Sequence, residues 1–475
     1  MIHGNLHTLR DMLAAAGVNP DGSLRKGSEG ARETAIDDLI YTAVFSGDAA
    51  TRNEARDVIH QLARAMGIIP STILPLYEAI GRGEAGGFTV PAVNIRALTY
   101  DSSRALFRAA IQHDVGAFIL EIARSEIGYT EQRPAEYAAA VLAAAIKEGF
   151  RGPVFIQGDH FQASAKRWLK QAEREKEKSA IESLIDEAIA AEFYNIDIDT
   201  STLVDLDQPT VDEQQRPNYE SCAHFTRYIR QRQPDGIEIS IGGEIGEVGK
   251  HNTTPEEFRA YVEGYLRLLD AGMKGISKVS IQTGTSHGGV PMPDGSIAQA
   301  KIDFGSLRTI SDIARREYGM AGAVQHGAST LPEEVFDQFP KSGTAEIHLA
   351  TGFQNMVYDH PSFPAALREE VAAWCRQNAA DERKEGETDE QFLYKTRKKA
   401  LGPFKKTMWD FPPAVKEPIL RDLEAKFALL FDKLAVRGTR DLVERYFPLD
   451  EKLARPFLRR DAPKELSEIP EGEGE

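Results

Sequence analysis

The sequence predicts an α/β fold, a closed (β/α)8 (TIM) barrel, on two observations. Short β-branched runs alternate eight times with amphipathic helical stretches from residue 88 onward. That alternation calls for parallel strands joined by helical crossovers, and eight such units close a barrel. Second, His160, His287 and His326 each stand one step past a β-branched run, in GDH, TGTSHGG and VQHGAST. A parallel barrel gathers its strand ends on one face, so residues distant in sequence meet there.

A chain of 475 residues suits one barrel of roughly 250–300 residues with appendages. The expected division is a helical N-terminal extension over 1–85, a catalytic barrel over 86–360, and a helical C-terminal extension over 361–475. The first part has helical apolar spacing in LHTLRDMLAAAG, AIDDLIYTAVF and ARDVIHQLARAMG, separated by Gly and Asp clusters. The eight strands are FTVPAVNIR (88–96), GAFILEIA (116–123), PVFIQGDH (153–160), FYNIDID (193–199), IEISIGGEIG (237–246), KVSIQTG (278–284), GAVQHG (322–327) and AEIHLAT (345–351). Helices fill the gaps, among them DSSRALFRAAIQHD and PAEYAAAVLAAAIKEG. Thr254 before ProGluGlu marks a helix start, with an N-cap, proline at the first position and acids in the first turn. The charge-dense KRWLKQAEREKEK (166–178) reads as a solvated helix face. The tail, PKELSEIPEGEGE, is acidic without helical period and is expected to be disordered.

Composition narrows the function classes. The net charge of −16 argues against nucleic acid and anionic membranes as partners, because both need basic patches. Only Cys222 and Cys375 occur, outside any CxxC or CxxH pattern, which fits a reducing compartment. No secretory signal and no apolar run of membrane-spanning length is apparent. A soluble, cytoplasmic protein is expected.

The strand ends carry the chemistry. Asp159 and His160 end the third strand, so a metal-binding imidazole adjoins a carboxylate able to move a proton. Glu244 ends the fifth run and completes a ligand set of three histidines and an acid. Taken singly, a strand-end histidine is more often a hydrogen-bonded structural residue; the joint pattern is what points to a metal. Glycines beside His287 and His326 allow close backbone approach and expose N–H groups to an anion. Asn94, Glu121, Asp197, Asp199 and His348 are further polar strand-end residues. Asp197 and Asp199, two apart on one face, suit a second cation or helix capping equally.

These motifs resemble the class II, metal-dependent fructose-bisphosphate (ketose-bisphosphate) aldolase family over residues 88–351. The matching segments, in the family's order, are PAVN (91–94), Asp159–His160, IDTS (198–201), GEIG (243–246), GTSHGG (284–289), KIDFGSL (301–307) and QHGAST (325–330). The resemblance implies His160, His287 and His326 as zinc ligands, Glu244 as the acid at the metal, and Asp199 at an alternate or second metal position. It implies Asp159 as the acid/base on the C4 hydroxyl of the ketose. Gly288, Gly327 and Ser329 would contribute to a phosphate pocket, with Asn94, His348 and Thr351 as further substrate contacts. Zinc suits histidine-rich ligation, with cobalt or manganese as substitutes. The implied reaction splits fructose 1,6-bisphosphate into dihydroxyacetone phosphate and glyceraldehyde 3-phosphate, a step of glycolysis and gluconeogenesis.

The chain departs from the family pattern at three places. Ala123 stands where a hydroxyl is usual, and His348-Leu349-Ala350-Thr351 replaces an Asn-x-Asp-Thr pattern. GEVGKHNTTPEE replaces a loop with Gly-Gly-Glu, leaving Glu247 and Glu256 as substitutes for its base. These differences widen the substrate to tagatose bisphosphate or a singly phosphorylated or sulfonated ketose. A metal-dependent hydrolase barrel is disfavoured because His-x-His occurs nowhere. A non-catalytic aldolase-like subunit is disfavoured because the ligands and Asp159 are all present. The helical extensions, with apolar faces to bury, lead to the expectation of a homo-oligomer.

Overall fold

The computed structural model describes residues 2–19, 25, 31–245, 251–284, 290–291, 297–298 and 302–447. Eight parallel strands close a barrel: β1 (Val90–Asn94), β2 (Ile119–Ala123), β3 (Gly152–Gln162), β4 (Asn195–Asp199), β5 (Ser240–Glu244), β6 (Lys278–Ser280), β7 (Ala323–Gln325) and β8 (Glu346–Leu349). Each pairs with the next in sequence, and β8 returns to β1 through Glu346–Leu349 beside Val90–Val93. Every predicted strand is present, most of them shorter than their β-branched runs.

The helices follow the expected signals. Thr254 caps Pro255–Leu266: its Oγ1 accepts from the Glu257 amide at 3.2 Å, and Glu257 Oε2 accepts from the Thr254 amide at 2.8 Å. This reciprocal box satisfies two N–H groups that the helix cannot pair itself. The charged stretch after β3 forms helices Ala165–Trp168 and Gln171–Ala190. It is largely solvated except at Glu177, which is fully buried on Arg124.

The first 85 residues are not all helix. Ile68–Pro70 is a parallel strand alongside Gly152–Val154 of β3, and Leu74–Gly81 crosses the N-terminal end of the barrel. The Ile73 amide donates to Asn195 Oδ1 at 2.8 Å, the Ser240 amide to Thr72 Oγ1 at 3.1 Å, and the Tyr77 hydroxyl to Glu346 Oε2. Gly81 permits this closure, since a Cβ there would lie 2.0 Å from the Gly319 carbonyl oxygen.

Helices Ala31–Phe45 and Asp48-capped Ala49–Ala65 pack on the barrel helix Pro134–Glu148, and Pro413–Lys433 packs on Thr99–Gln112. The C-terminal extension is also tied to strand starts: Thr439 Oγ1 accepts from the Gly116 and Ala117 amides, both at 3.1 Å. Both extensions thus pack helices against the chain's own barrel. The acidic tail lies outside the described residues. Among the described residues no helix is long and apolar enough to cross a membrane.

Candidate active site

Side chains two residues apart on a strand share a face. Along five strands, a mouth residue therefore sits above an inward residue deeper in the barrel. The pairs are Ala123 over Glu121, Asp159 over Gln157, Asp199 over Asp197, Ser280 over Lys278 and His348 over Glu346. Such an interior is more polar than the Val/Ile/Leu filling usual for barrels.

The Asp159–His160 pair breaks the alternation. His160 adopts a left-handed backbone, φ 38°, and the β3–β4 register shifts between Gly158 and Phe161. A bulge of this kind re-aims side chains, and both residues are buried. His160 Nδ1 lies 2.9 Å from Asp199 Oδ2 and 2.9 Å from Glu244 Oε2. Its ring stands 4.2 Å from that of His326, whose Nε2 shares a 2.6 Å hydrogen bond with Ser280 Oγ. His160, Glu244 and His326 each offer a ligand atom, all within 4.8 Å of one another. Two imidazoles and a carboxylate suit a divalent cation.

The electrostatics follow from burial opposed by pairing. Burial pushes the Glu244 carboxyl up to about 7, reinforced by Asp199 and partly offset by His160. Burial also raises Asp199, but hydrogen bonds from His160, Ser201 and Gln162 outweigh it and hold the carboxyl below its ordinary value. For His160, burial favours the neutral ring, yet Glu244, Asp159 and Asp199 raise its pKa well above the usual value.

Asp159 takes Asn94 Nδ2 on Oδ2 at 2.8 Å and His348 Nδ1 on Oδ1 at 3.1 Å. Asn94 also donates to Glu126 Oε2 at 3.1 Å, and Arg96 Nε donates to Glu126 Oε1 at 2.5 Å. The Ala123 amide donates to Glu126 Oε2 at 3.0 Å, so position 123 contributes a backbone donor and no side-chain hydroxyl. His348 does not face an open anion pocket: Nδ1 also lies 3.0 Å from Glu121 Oε1, and Nε2 lies 2.6 Å from Glu346 Oε1.

Deeper still, the Lys278 ammonium is buried and donates to Gln157 Oε1 at 2.9 Å, Asp197 Oδ2 at 2.8 Å and Glu346 Oε1. Asp197 and Asp199 therefore do not converge on one cation; one faces Lys278 and the other His160. Gly242 leaves the room, because a Cβ there would lie 2.3 Å from Asp197 Oδ1 and 2.9 Å from Lys278 Cε.

Gly327, with φ 66°, and Ser329 follow β7, and Thr351 opens the helix Thr351–Tyr358 after β8. Ser329 Oγ accepts from the Gly352 amide at 3.0 Å, and Thr351 Oγ1 accepts from Arg96 Nη1 at 3.0 Å. His287, Gly288 and Glu247 lie outside the described residues, and Glu256 is exposed on the first turn of its helix. The residues that sequence reasoning passed over are Arg96, Glu126, Gln157, Lys278 and Glu346. Gln157, Lys278 and Glu346 lie two residues below a mouth residue on the same strand, and Arg96 and Glu126 lie two and three residues beyond Asn94 and Ala123, a spacing that is a readable signal.

The chain is similar to the fructuronate-tagaturonate epimerase UxaE of Cohnella laeviribosi, at 13% identity and TM-score 0.52, over 79% of this chain and 86% of that one. A fructose-bisphosphate aldolase of Campylobacter jejuni matches at 18% identity and TM-score 0.45, over 78% of this chain and 97% of that one. No curated protein sequence matches. The family described as fructose-bisphosphate aldolase class-II matches residues 75–408, well over half of the chain. Together with a closed barrel whose strand ends bring His160, Glu244 and His326 beside Asp159, this match shows that the chain belongs to the class II fructose-bisphosphate aldolase family.

Proposed function

We propose that this chain is a zinc-dependent aldolase that reversibly cleaves a ketose phosphate to dihydroxyacetone phosphate and an aldehyde. The observation that carries the reading is the convergence of His160, Glu244 and His326 next to the buried carboxylate of Asp159, in a barrel of this family. His287, carried over from the family motif, is the further ligand, and Asp199 orients His160. Bound there, the cation supplies Lewis-acid stabilisation of negative charge beside the substrate carbonyl. The ionised Asp159 accepts the C4 hydroxyl proton while the C3–C4 bond breaks. The bond's electron pair stays on C3, conjugated with the C2 carbonyl, C4 leaves as the aldehyde, and C3 takes up a proton from solvent to complete dihydroxyacetone phosphate. In condensation Asp159 returns the proton.

Gly327, Ser329 and Thr351 form the phosphate-binding side of the mouth, with Arg96 as its nearby cation, and Gly288 is carried over to it from the family motif alone. Residues 86–360 are the catalytic unit, and the two extensions support it. Fructose 1,6-bisphosphate is the first substrate to test. A second reading, tagatose bisphosphate or a singly phosphorylated or sulfonated ketose, is favoured by Ala123 and by His348 lying among carboxylates. A coupled cleavage assay with and without chelator, then with zinc restored, tests both. Chelator-sensitive activity on one of these ketoses supports the proposal; fully metallated protein inactive on all of them refutes it.

A further inference from the structure

We propose that His348 is a positioning residue for Asp159: braced from behind by Glu346, its Nδ1 fixes the plane in which the Asp159 carboxylate meets the substrate hydroxyl. The inference rests on the reading of Asp159 as the proton carrier. Asp159 stands where β3 bulges and its pairing with β4 is interrupted, so its direction needs support beyond the strand ladder. That support is hydrogen-bonded at both carboxylate oxygens, His348 Nδ1 on Oδ1 at 3.1 Å and Asn94 Nδ2 on Oδ2 at 2.8 Å. Bonds to both oxygens thereby hold the carboxylate against rotation about Cβ–Cγ.

His348 is itself immobilised. Its Nε2 is 2.6 Å from Glu346 Oε1, and its ring stacks on His326 at 4.0 Å and 19°. Glu346 accepts from Lys278, from the Tyr77 hydroxyl and, at 2.9 Å, from Gln157 Nε2. A hydrogen-bonded line thus runs from the helix that closes the barrel's N-terminal end, through Glu346 and His348, to Asp159 at the mouth. Its members are at most 4% exposed, so no water-facing rotamer competes. A side chain held this way delivers geometry, and an error of about 1 Å in a reacting group costs on the order of 10²-fold in rate.

Two isosteric substitutions separate positioning from packing. An asparagine amide nitrogen stands where Nδ1 does, and a glutamine amide nitrogen where Nε2 does. His348→Asn keeps the bond to Asp159, whereas His348→Gln keeps the bond to Glu346. We expect kcat within about 10-fold of the parent for His348→Asn and about 10²-fold lower for His348→Gln, with KM within about 3-fold in both. Metal content should be unchanged in both. Crystal structures should show the Asp159 carboxylate in its parent orientation in the first variant and rotated in the second. A glutamine variant as fast as the asparagine one, a loss confined to KM, or an unmoved Asp159 in the glutamine variant overturns the proposal. Inactivity of the parent on every ketose tested overturns the functional reading instead, and the two crystal structures still decide the role of His348.

Discussion

Lys278→Met tests how the barrel interior tolerates its charges. The substitution keeps length and approximate volume but removes an ammonium, 1% exposed, that pairs with Asp197 and Glu346 and donates to Gln157. Breaking a buried pair leaves uncompensated charge and costs about 3–5 kcal/mol. With an unfolding entropy of about 2.1 cal/mol/K per residue, a chain of this length has about 1 kcal/mol/K, so the midpoint should fall by roughly 3–5 °C at pH 7.

The pH dependence carries the sign. Burial alone would raise Glu346, but Lys278 and His348 outweigh it and hold its pKa well below the ordinary value. A depressed carboxyl contributes stability above its unfolded pKa, and the contribution is lost as pH falls through the folded one. In the parent that contribution persists through mildly acidic pH. The Lys278 pKa is raised, burial being outweighed by Asp197 and Glu346, so its own contribution is lost only at strongly alkaline pH. Without Lys278, the buried acids take up protons at higher pH, and the variant's deficit narrows as pH falls from 7 toward about 4.5. Calorimetry at both pH values measures this. A midpoint change under about 1 °C at pH 7, or an equal change at both, would refute the reasoning.

Other predictions concern the mouth and its floor. His160→Ala should lose metal and activity together, by elemental analysis and assay; full metal stoichiometry contradicts its ligand role. Asp159→Ala should keep its metal and lose about 10²–10⁴-fold in kcat, and an active variant means that another group carries the proton. Metal affinity should weaken below pH 7, because Glu244, raised to about 7, must be deprotonated to bind. Titration calorimetry giving the same affinity at pH 7 and 5.5 opposes this. Gly242→Ala forces a Cβ onto Asp197 and Lys278 and should cost about 1–3 kcal/mol; an unchanged unfolding midpoint would show that the pair can shift freely.

Much of this was legible in the sequence. The eight strands stood out because buried parallel strands are β-branched runs, and Glu244, Asp199 and Asn94 end theirs as expected. The shared direction of Asp159 and His160 was harder to read, because alternation alone sends neighbours to opposite faces. It takes the left-handed backbone of His160 to bring both inward. The role of His348 also depends on neighbours from other strands, since Glu121 and Asp159 reach its ring only through barrel closure. Lys278 gave no signal at the head of its run, and only the acids of β4 and β8 make its burial tolerable. The strand at Ile68–Pro70 is too short for any periodicity to announce it.

That short strand has a consequence for how the barrel's own backbone edge is protected. The ladder between β2 and β3 begins at Phe155, so the preceding Gly152–Val154 would present bare backbone groups at the barrel's lower rim. Ile68–Pro70 covers them. Open strand edges are templates for pairing between chains, and this one continues into the apolar run Val154–Phe155–Ile156. The segment before the barrel therefore acts as an edge guard. A chain shortened to begin at residue 86 should self-associate through β3 even if every residue of the mouth is intact.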